Sequence, residues 1–190
     1  MNTHGRWPWV AAASLAPAFG LAAARRDRLV EDGRWVAGLA FPLLAAHQTE
    51  EWVRPGGFLE FANERLLRSG EPAWPLTERI GFHVNVTIGW GTAIAAALLW
   101  SRTPAPAAFV LGVEAGNLLM HAGMAIRERG YNPGLVTAAL LLGPHAAAGA
   151  RHLARSGRMT RRPAALAAAG SVAFSAGLPA ALTLRMRRRA

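Results

Sequence analysis

The chain of 190 residues contains no cysteine and no lysine, so all 21 of its basic residues are arginine. The lack of cysteine excludes disulfide bonds, thiolate metal ligands and cysteine nucleophiles. Charge is also scarce, because only 17% of the residues are charged, whereas soluble domains carry roughly a quarter. Together these absences argue against a disulfide scaffold and against a soluble enzyme with a polar surface.

Hydrophobic residues make up 52% of the chain and form long stretches that arginine clusters separate. A helix of about 20 apolar residues crosses the hydrocarbon core of a bilayer. The candidate segments are residues 8–24, 35–52, 80–100, 105–126, 133–150 and 163–184. The sequence therefore predicts an all-α, polytopic membrane helix bundle with about six transmembrane helices, in a single membrane domain over residues 1–190.

Two features of this topology stay open. Ala22-Ala23-Ala24 after a short apolar run is also typical of a signal-peptide cleavage site, which would leave five helices. Only Arg6 precedes that run, and this weak basic region favours a transmembrane helix. The six-helix topology places 11 arginines on one side and 10 on the other, so the positive-inside rule does not determine the orientation.

The net charge of +10 bears on whether the chain binds anionic lipids or nucleic acid. Its arginines flank apolar segments, as expected for contact with anionic lipid headgroups. No basic face with interleaved aromatic residues is present, so nucleic acid is not expected. The lipid bilayer is the predicted partner, and the oligomeric state is left open.

The longest connection, residues 53–79, contains an amphipathic pattern over 57–68. Leu59, Ala62 and Leu66 recur at helical spacing, with Phe58 and Phe61 beside them. This pattern predicts an interfacial helix. It would either cover the bundle or act as a lid over a site.

Several polar side chains lie inside the apolar segments. An ionisable group there costs about 2.5–3.5 kcal/mol on insertion scales, so it persists where it pairs, binds a ligand or lines a wet cavity. The residues of this kind are His47, Glu50, Glu51, His83, Asn85, Glu114, Asn117, His121 and His145.

Helical spacing sorts most of these residues into two groups. Glu50 and Glu51 follow His47 by three and four residues, so both carboxylates can lie one turn from the imidazole. The second group is a polar stripe along one helix face, formed by Glu114, Asn117 and His121.

Depth in the bilayer brings the two groups together. His47, His83 and His121 lie about 10, 6 and 9 Å from the same membrane face at 1.5 Å per residue. We therefore expect these histidines to form one cluster with Glu50 and Glu51. The polar residues expected to support it are Asn85, Asn117 and Asn132. Asn132-Pro133 also suits a helix N-cap and first turn.

Imidazoles and carboxylates without thiols favour zinc, iron or manganese. The predicted ligands of a divalent metal are His47, Glu51, His83 and His121. The predicted catalytic groups are Glu50, Glu51 and Glu114: one of the paired glutamates would be a ligand, and the other would act as a base or orient a histidine. Glu114 would be a second ligand or a proton relay.

The function that this pattern favours is a membrane-embedded, metal-dependent enzyme acting on a lipid-like or apolar small molecule. A metal- or proton-linked transporter could use the same residues, but it needs polar groups that continue to the other side, and only His145 offers one. In an accessory protein the polar residues would only pack helices.

His47-Gln48-Thr49-Glu50-Glu51 resembles the signature of the HXXEE-domain family, small bacterial membrane proteins without an assigned function. His83-Val84-Asn85, the Glu114–Asn117–His121 stripe and Tyr131-Asn132-Pro133-Gly134 resemble its other polar landmarks. The resemblance covers a core of about residues 35–150, with extra helices at about 8–24 and 163–184. It implies a multi-pass protein of the bacterial cytoplasmic (inner) membrane and no particular substrate.

Overall fold

The computed structural model describes residues 5–189, in which every regular element is a helix. The α-helices are α1 (Trp7–Ala24), α2 (Arg26–Val30), α3 (Trp35–Gly38), α4 (Ala40–Trp52), α5 (Phe58–Phe61), α6 (Glu78–Phe82), α7 (Gly91–Leu99), α8 (Ala105–Glu128), α9 (Leu135–Thr137), α10 (Gly143–Ser156) and α11 (Arg161–Arg187). A 3₁₀ turn spans Glu31–Gly33, and π-helical segments span Ala62–Leu66, His83–Trp90 and Ala138–Leu142. The predicted all-α class is thus confirmed for these residues.

Four helices in residues 5–189 are long and apolar enough to cross a membrane: Trp7–Ala24, Glu78–Leu99, Ala105–Glu128 and Arg161–Arg187. The predicted count of six is not confirmed. Segment 35–52 divides at Leu39 into α3 and α4, and it carries the polar residues from His47 to Glu51. Segment 133–150 begins with a non-helical turn, and its helix continues to Ser156.

Helix α8 lies at the centre of the bundle and packs against α7, α10 and α11. Small residues let α11 approach it closely. A Cβ atom on Gly112 would lie 2.2 Å from Ser171 Oγ, and one on Gly116 would lie 2.5 Å from Ser175 Oγ. Such contacts are typical of helix pairs in membranes, where apolar burial alone gives little driving force.

The outer surface of the bundle exposes many large apolar side chains. Large side chains such as Leu98, Leu119 and Ile126 are 73–79% exposed. The interior is built largely from alanine, with Val36, Leu111 and the buried Trp100 among its larger members. An apolar exterior of this kind suits a lipid environment.

The amphipathic segment predicted at 57–68 is helical over 58–66, as α5 and the π-helical turn that follows it. Glu60 and Glu64 are exposed on its outer side. Asn63 is fully buried, its Nδ2 donates to the carbonyls of Pro72 and Leu76, and its Oδ1 accepts from the Leu76 amide. These bonds fix the connection in place, which favours a cover over a mobile lid.

Candidate metal centre

Helix α4 presents the acidic motif to the interior. His47, Glu50 and Glu51 are all buried, with exposed fractions of 2%, 8% and 5%. The two glutamates point to different neighbours, because adjacent positions on a helix differ by about 100° in direction. Glu51 faces His121 of α8, whereas Glu50 faces the start of α9.

Glu51 lies between two imidazoles. Its Oε1 is 3.5 Å from His47 Nε2 and 3.4 Å from His121 Nε2. The two rings meet edge to face with centroids 5.0 Å apart. All three potential ligand atoms lie within 4.8 Å of one another, and this group could hold a metal ion. Helices α4 and α8, which are far apart in sequence, therefore supply one compact set of ligands.

The hydrogen bonds of the opposite ring nitrogens define the tautomers. The hydroxyl of Thr137 donates to Glu50 Oε2, so its oxygen accepts from His47 Nδ1 at 2.9 Å. Asn132 Nδ2 donates to the His121 carbonyl, and its Oδ1 accepts from His121 Nδ1 at 2.6 Å. When both rings are neutral, each Nε2 therefore carries a lone pair directed at Glu51.

This arrangement brings three electron-pair donors together. Within residues 5–189, no group hydrogen-bonds to Nε2 of His47 or to Nε2 of His121, although both atoms are buried. A buried polar atom without a partner is costly. A cation at the centre would satisfy both nitrogens and the Glu51 carboxylate, and the Nδ1 bonds supply the outer support that histidine ligands usually have.

The backbone of Gly134 packs directly against His121 and Glu51. Its φ is +99°, and a Cβ atom there would lie 2.5 Å from His121 Cε1 and 2.9 Å from Glu51 Cγ. Only glycine combines this backbone conformation with such a close approach. The Tyr131–Gly134 turn is thus shaped to the cluster.

Glu50 has a different environment. Its carboxylate accepts from the amides of Val136 and Thr137 and from the hydroxyls of Thr137 and Tyr131. Four donors, three of them from Val136 and Thr137 in α9, satisfy an ionised carboxylate without a cation. Glu50 therefore does not share the Glu51 cluster, contrary to the prediction of one group.

Tyr131, in the turn before α9, is one of the four hydrogen-bond donors to Glu50. Its hydroxyl lies 2.8 Å from Glu50 Oε1. Partial removal of the phenol from water, together with its hydrogen bond to the carboxylate, raises the pKa of Tyr131 to about 12. The phenol therefore stays protonated and remains a donor over the physiological range.

The structure does not bring His83 to the cluster. Its side chain is exposed, and its Nδ1 lies 3.3 Å from Thr87 Oγ1 on the same helix. The neighbouring Asn85 faces inward: its Nδ2 donates to the Gly81 carbonyl, and its Oδ1 accepts from Gln48. The depth of His83 matched that of the other histidines, but its direction around the helix did not.

Asn132 is placed differently from the N-cap interpretation. The helix begins at Leu135 with Gly134 as its N-cap. The side chain of Asn132 instead makes two hydrogen bonds to His121 and is fully buried. The structure thus places it as a support for His121.

Glu114 is buried two helical turns from His121 and pairs with a residue left out of the predicted cluster. Its Oε2 lies 2.7 Å from His145 Nδ1 on α10. It is not part of the group of His47, Glu51 and His121. Placement as a second ligand of the same ion is therefore not seen.

A partly open cavity of about 160 Å³ borders several of these groups. Most of its wall is apolar, with Phe109 and Phe174 among its larger side chains. The polar residues in the wall include His47, Glu51, Asn85, Glu114 and Asn117. The ring of Phe58 also borders it and lies 5.8 Å from the ring of His121. The cluster therefore opens onto an apolar space.

The predicted site residues did not include Tyr131, Gly134, Thr137 or Gln48, which all contribute to the site. Thr137 and Gly134 bear no charge and lie outside the acidic motif, although Gly134 follows Asn132-Pro133 in a turn pattern. Gln48, inside the motif, is fully buried and accepts from Trp90 Nε1 at 2.7 Å. Their roles depend on which elements pack together, which residue spacing alone does not reveal.

Comparison with known families adds to this geometry. A family model described as "Protein of unknown function with HXXEE motif" matches residues 38–148, more than half of the chain. The chain belongs to the HXXEE family. The matched region contains the His47–Glu51 motif and all residues of the cluster. No significant match was found among curated proteins or solved structures.

Proposed function

We propose that this HXXEE protein is a six-helix membrane enzyme with a divalent metal bound by His47, Glu51 and His121. Zinc, iron or manganese suits two neutral imidazoles and one carboxylate. The observation that carries the proposal is the convergence of three buried electron-pair donors, two of which have no other partner among residues 5–189.

Three protein ligands are typical of catalytic metal sites, because a fourth position stays open for water or substrate. The cluster borders the apolar cavity, so a substrate would reach that position through a hydrocarbon-like space. A lipid-like or apolar small molecule fits this wall. The bound metal would supply a Lewis acid that polarises an oxygen of the substrate or activates a water molecule.

The surrounding residues hold the two imidazoles in place. Thr137 accepts from His47 Nδ1 and is itself bonded to Glu50, so Glu50 positions His47 through one hydroxyl. Asn132 fixes the ring of His121 in the same way. These contacts favour the tautomers in which both Nε2 atoms are free to bind a metal.

Elemental analysis of detergent-purified protein, after tag removal, tests the metal site. Wild-type protein should hold about one divalent ion per chain as purified or after reconstitution with zinc, iron or manganese. Glu51→Gln should lose it, because a carboxamide is a neutral and weaker ligand. Glu114→Gln is the matched control, since it removes a buried carboxylate outside the cluster and should retain the metal.

Enzyme activity requires a separate test. Wild type and Glu51→Gln, each incubated with a total lipid extract of bacterial membranes, would be compared by mass spectrometry. The proposal expects products that depend on both the metal and Glu51. A retained metal without any such product would contradict the enzyme assignment and favour metal-linked transport through the same residues.

A further inference from the structure

The buried pair of Glu114 and His145 lies outside the metal cluster and needs its own explanation. Their exposed fractions are 3% and 6%, and Glu114 Oε2 lies 2.7 Å from His145 Nδ1. Helices α8 and α10 hold the two side chains against each other in a largely apolar interior. An ionised carboxylate beside a neutral imidazole would leave one uncompensated charge there, which is costly.

One added proton makes the pair electrically neutral. The proton can sit on Glu114 Oε2 and bond to His145 Nδ1, or sit on Nδ1 and bond to the carboxylate. Both forms have zero net charge, and the proton moves over a single hydrogen bond between them. The geometry thus favours a neutral pair that shares one proton.

Each end of the pair also has an atom without a partner. Within residues 5–189, neither Glu114 Oε1 nor His145 Nε2 has a hydrogen-bond partner, although both atoms are buried. Glu114 lies in the wall of the cavity. If the pair had only a structural role, nothing would compensate for the free-energy cost of these two unpaired atoms.

The other ionisable groups on the packed elements lie farther away. His121 follows Glu114 by seven residues on α8, and His152 follows His145 by seven on α10, a rise of about 10 Å in each case. Helix α4 contributes His47, Glu50 and Glu51 near His121. Helix α7 contains no ionisable residue, and α11 carries ionisable residues only near its ends, namely Arg161, Arg162, Arg185 and Arg187. Helix α3 contributes the ring of Trp35, 5.8 Å from that of His145.

From these observations we propose that Glu114 and His145 form a proton-exchange site that faces the cavity, separate from the metal cluster. The site gives one proton from Glu114 to a basic group of the molecule in the cavity, leaving an ionised Glu114 beside neutral His145. The reverse transfer restores the neutral pair. The cavity occupant would therefore carry a group that accepts or releases a proton.

The test uses full-length, metal-free protein in detergent, so that its outcome does not depend on the proposed metal site. Infrared spectra at neutral pH would detect the carbonyl stretch of a protonated carboxylic acid, assigned by its loss in Glu114→Gln. Nitrogen NMR of histidine-labelled protein would detect the imidazolium form of His145, assigned by its loss in His145→Gln. Either signal supports the neutral pair, and an ionised Glu114 beside a neutral His145 at neutral pH would overturn it.

Exchange with heavy water tests the link to the cavity. Val113→Trp would fill the cavity next to Glu114 and should slow deuteration of the pair several-fold. Leu119→Trp is the matched control, because Leu119 lies on the same helix and is 73% exposed on the outer surface. Equal exchange rates in the two variants would contradict a proton site that communicates through the cavity.

His145→Gln provides a second test, which does not depend on the folding of Glu114→Gln. In His145→Gln the imidazole no longer shares the proton, so Glu114 should stay protonated across the whole accessible pH range. A carboxylic-acid signal that titrates as it does in wild type would show that His145 takes no part, and would refute the paired site.

Discussion

Glu50 and Glu51 are neighbouring glutamates on one helix turn, yet their surroundings are opposite. Within residues 5–189, the hydrogen-bond partners of the Glu50 carboxylate are four donors, two amides and two hydroxyls from residues 131–137. Glu51 meets the Nε2 atoms of two imidazoles, and both atoms carry lone pairs when the rings are neutral. An ionised carboxylate is already satisfied at Glu50, whereas at Glu51 it needs a cation.

This difference assigns separate tasks to the two acids of the HXXEE motif. Glu50 ties α4 to the start of α9 and orients His47 through Thr137. Glu51 is available to bind a cation. Substitutions that separate stability from metal binding therefore test the comparison directly.

The largest difference is expected between Glu50→Gln and Glu51→Gln in metal-free protein. Glu50→Gln places an NH₂ group against backbone N–H donors and leaves buried donors unpaired, which should cost about 3 kcal/mol of unfolding free energy. Glu51→Gln removes a buried charge that faces no donor, and its amide can donate to an imidazole lone pair, so stability should not fall. Chemical denaturation in detergent measures both, and equal losses would remove the distinction between the two acids.

Gly134→Ala tests whether the turn before α9 shapes the cluster around Glu51. The added Cβ would overlap His121 and Glu51, and the φ of +99° is strained for alanine. We expect a loss of about 1–3 kcal/mol in stability together with loss of metal binding. Thermal unfolding and elemental analysis measure the two effects.

Gly130→Ala is the control for that substitution, because a Cβ there would lie 3.8 Å from its nearest contact, the Glu128 carbonyl. If Gly134→Ala binds metal as Gly130→Ala does, the turn has no role in shaping the cluster.

Thr137→Val tests whether Glu50 acts on the cluster through His47. Valine keeps the shape of threonine but neither accepts from His47 nor donates to Glu50. Metal affinity should fall about 10–100-fold, as for other outer-shell partners of histidine ligands. Thr183→Val is a matched control, since the Thr183 hydroxyl donates to the Pro179 carbonyl within α11, away from the cluster. Competition with a metal chelator measures the affinities, and unchanged binding would show that His47 needs no such support.

Tyr131→Phe should have the smallest effect. It removes one of the four donors to Glu50, at a half-exposed position, and should cost less than about 1 kcal/mol at neutral pH. Because the folded-state pKa of Tyr131 is raised to about 12, its contribution is full below the ordinary tyrosine value near 10 and is lost as the pH rises through 12. The stability difference between wild type and Tyr131→Phe should therefore shrink over that interval, and a difference that grows would contradict the assigned hydrogen bond.

Sequence spacing predicted the parts of the site that depend on one helix. The four-residue interval placed His47 and Glu51 together, and depth brought His121 to the same level. Depth did not give direction around the axis, so His83 was wrongly expected in the cluster and is exposed instead. Residue spacing also did not distinguish the roles of Glu50 and Glu51. Those roles depend on their neighbours, which are His121 on α8 for Glu51 and the start of α9 for Glu50. The partnership of Glu114 with His145 likewise depends on how α8 and α10 pack.

The amphipathic pattern at 57–68 predicted a helix because it needs only local periodicity, and the helix is present over 58–66. The count of transmembrane helices was less predictable. Segment 35–52 combines apolar residues with the buried motif, so hydrophobicity alone does not decide whether it spans the bilayer.

X-ray absorption spectroscopy at the metal edge of reconstituted wild-type protein would identify the ligands of the proposed metal centre. The expected coordination shell has two imidazole nitrogens and a carboxylate oxygen at about 2.0–2.2 Å if the ion is zinc. The imidazole signal should disappear in the His47→Ala/His121→Ala double variant. A shell without histidine nitrogen, or one that the double variant leaves unchanged, would contradict a metal centre built by His47, Glu51 and His121.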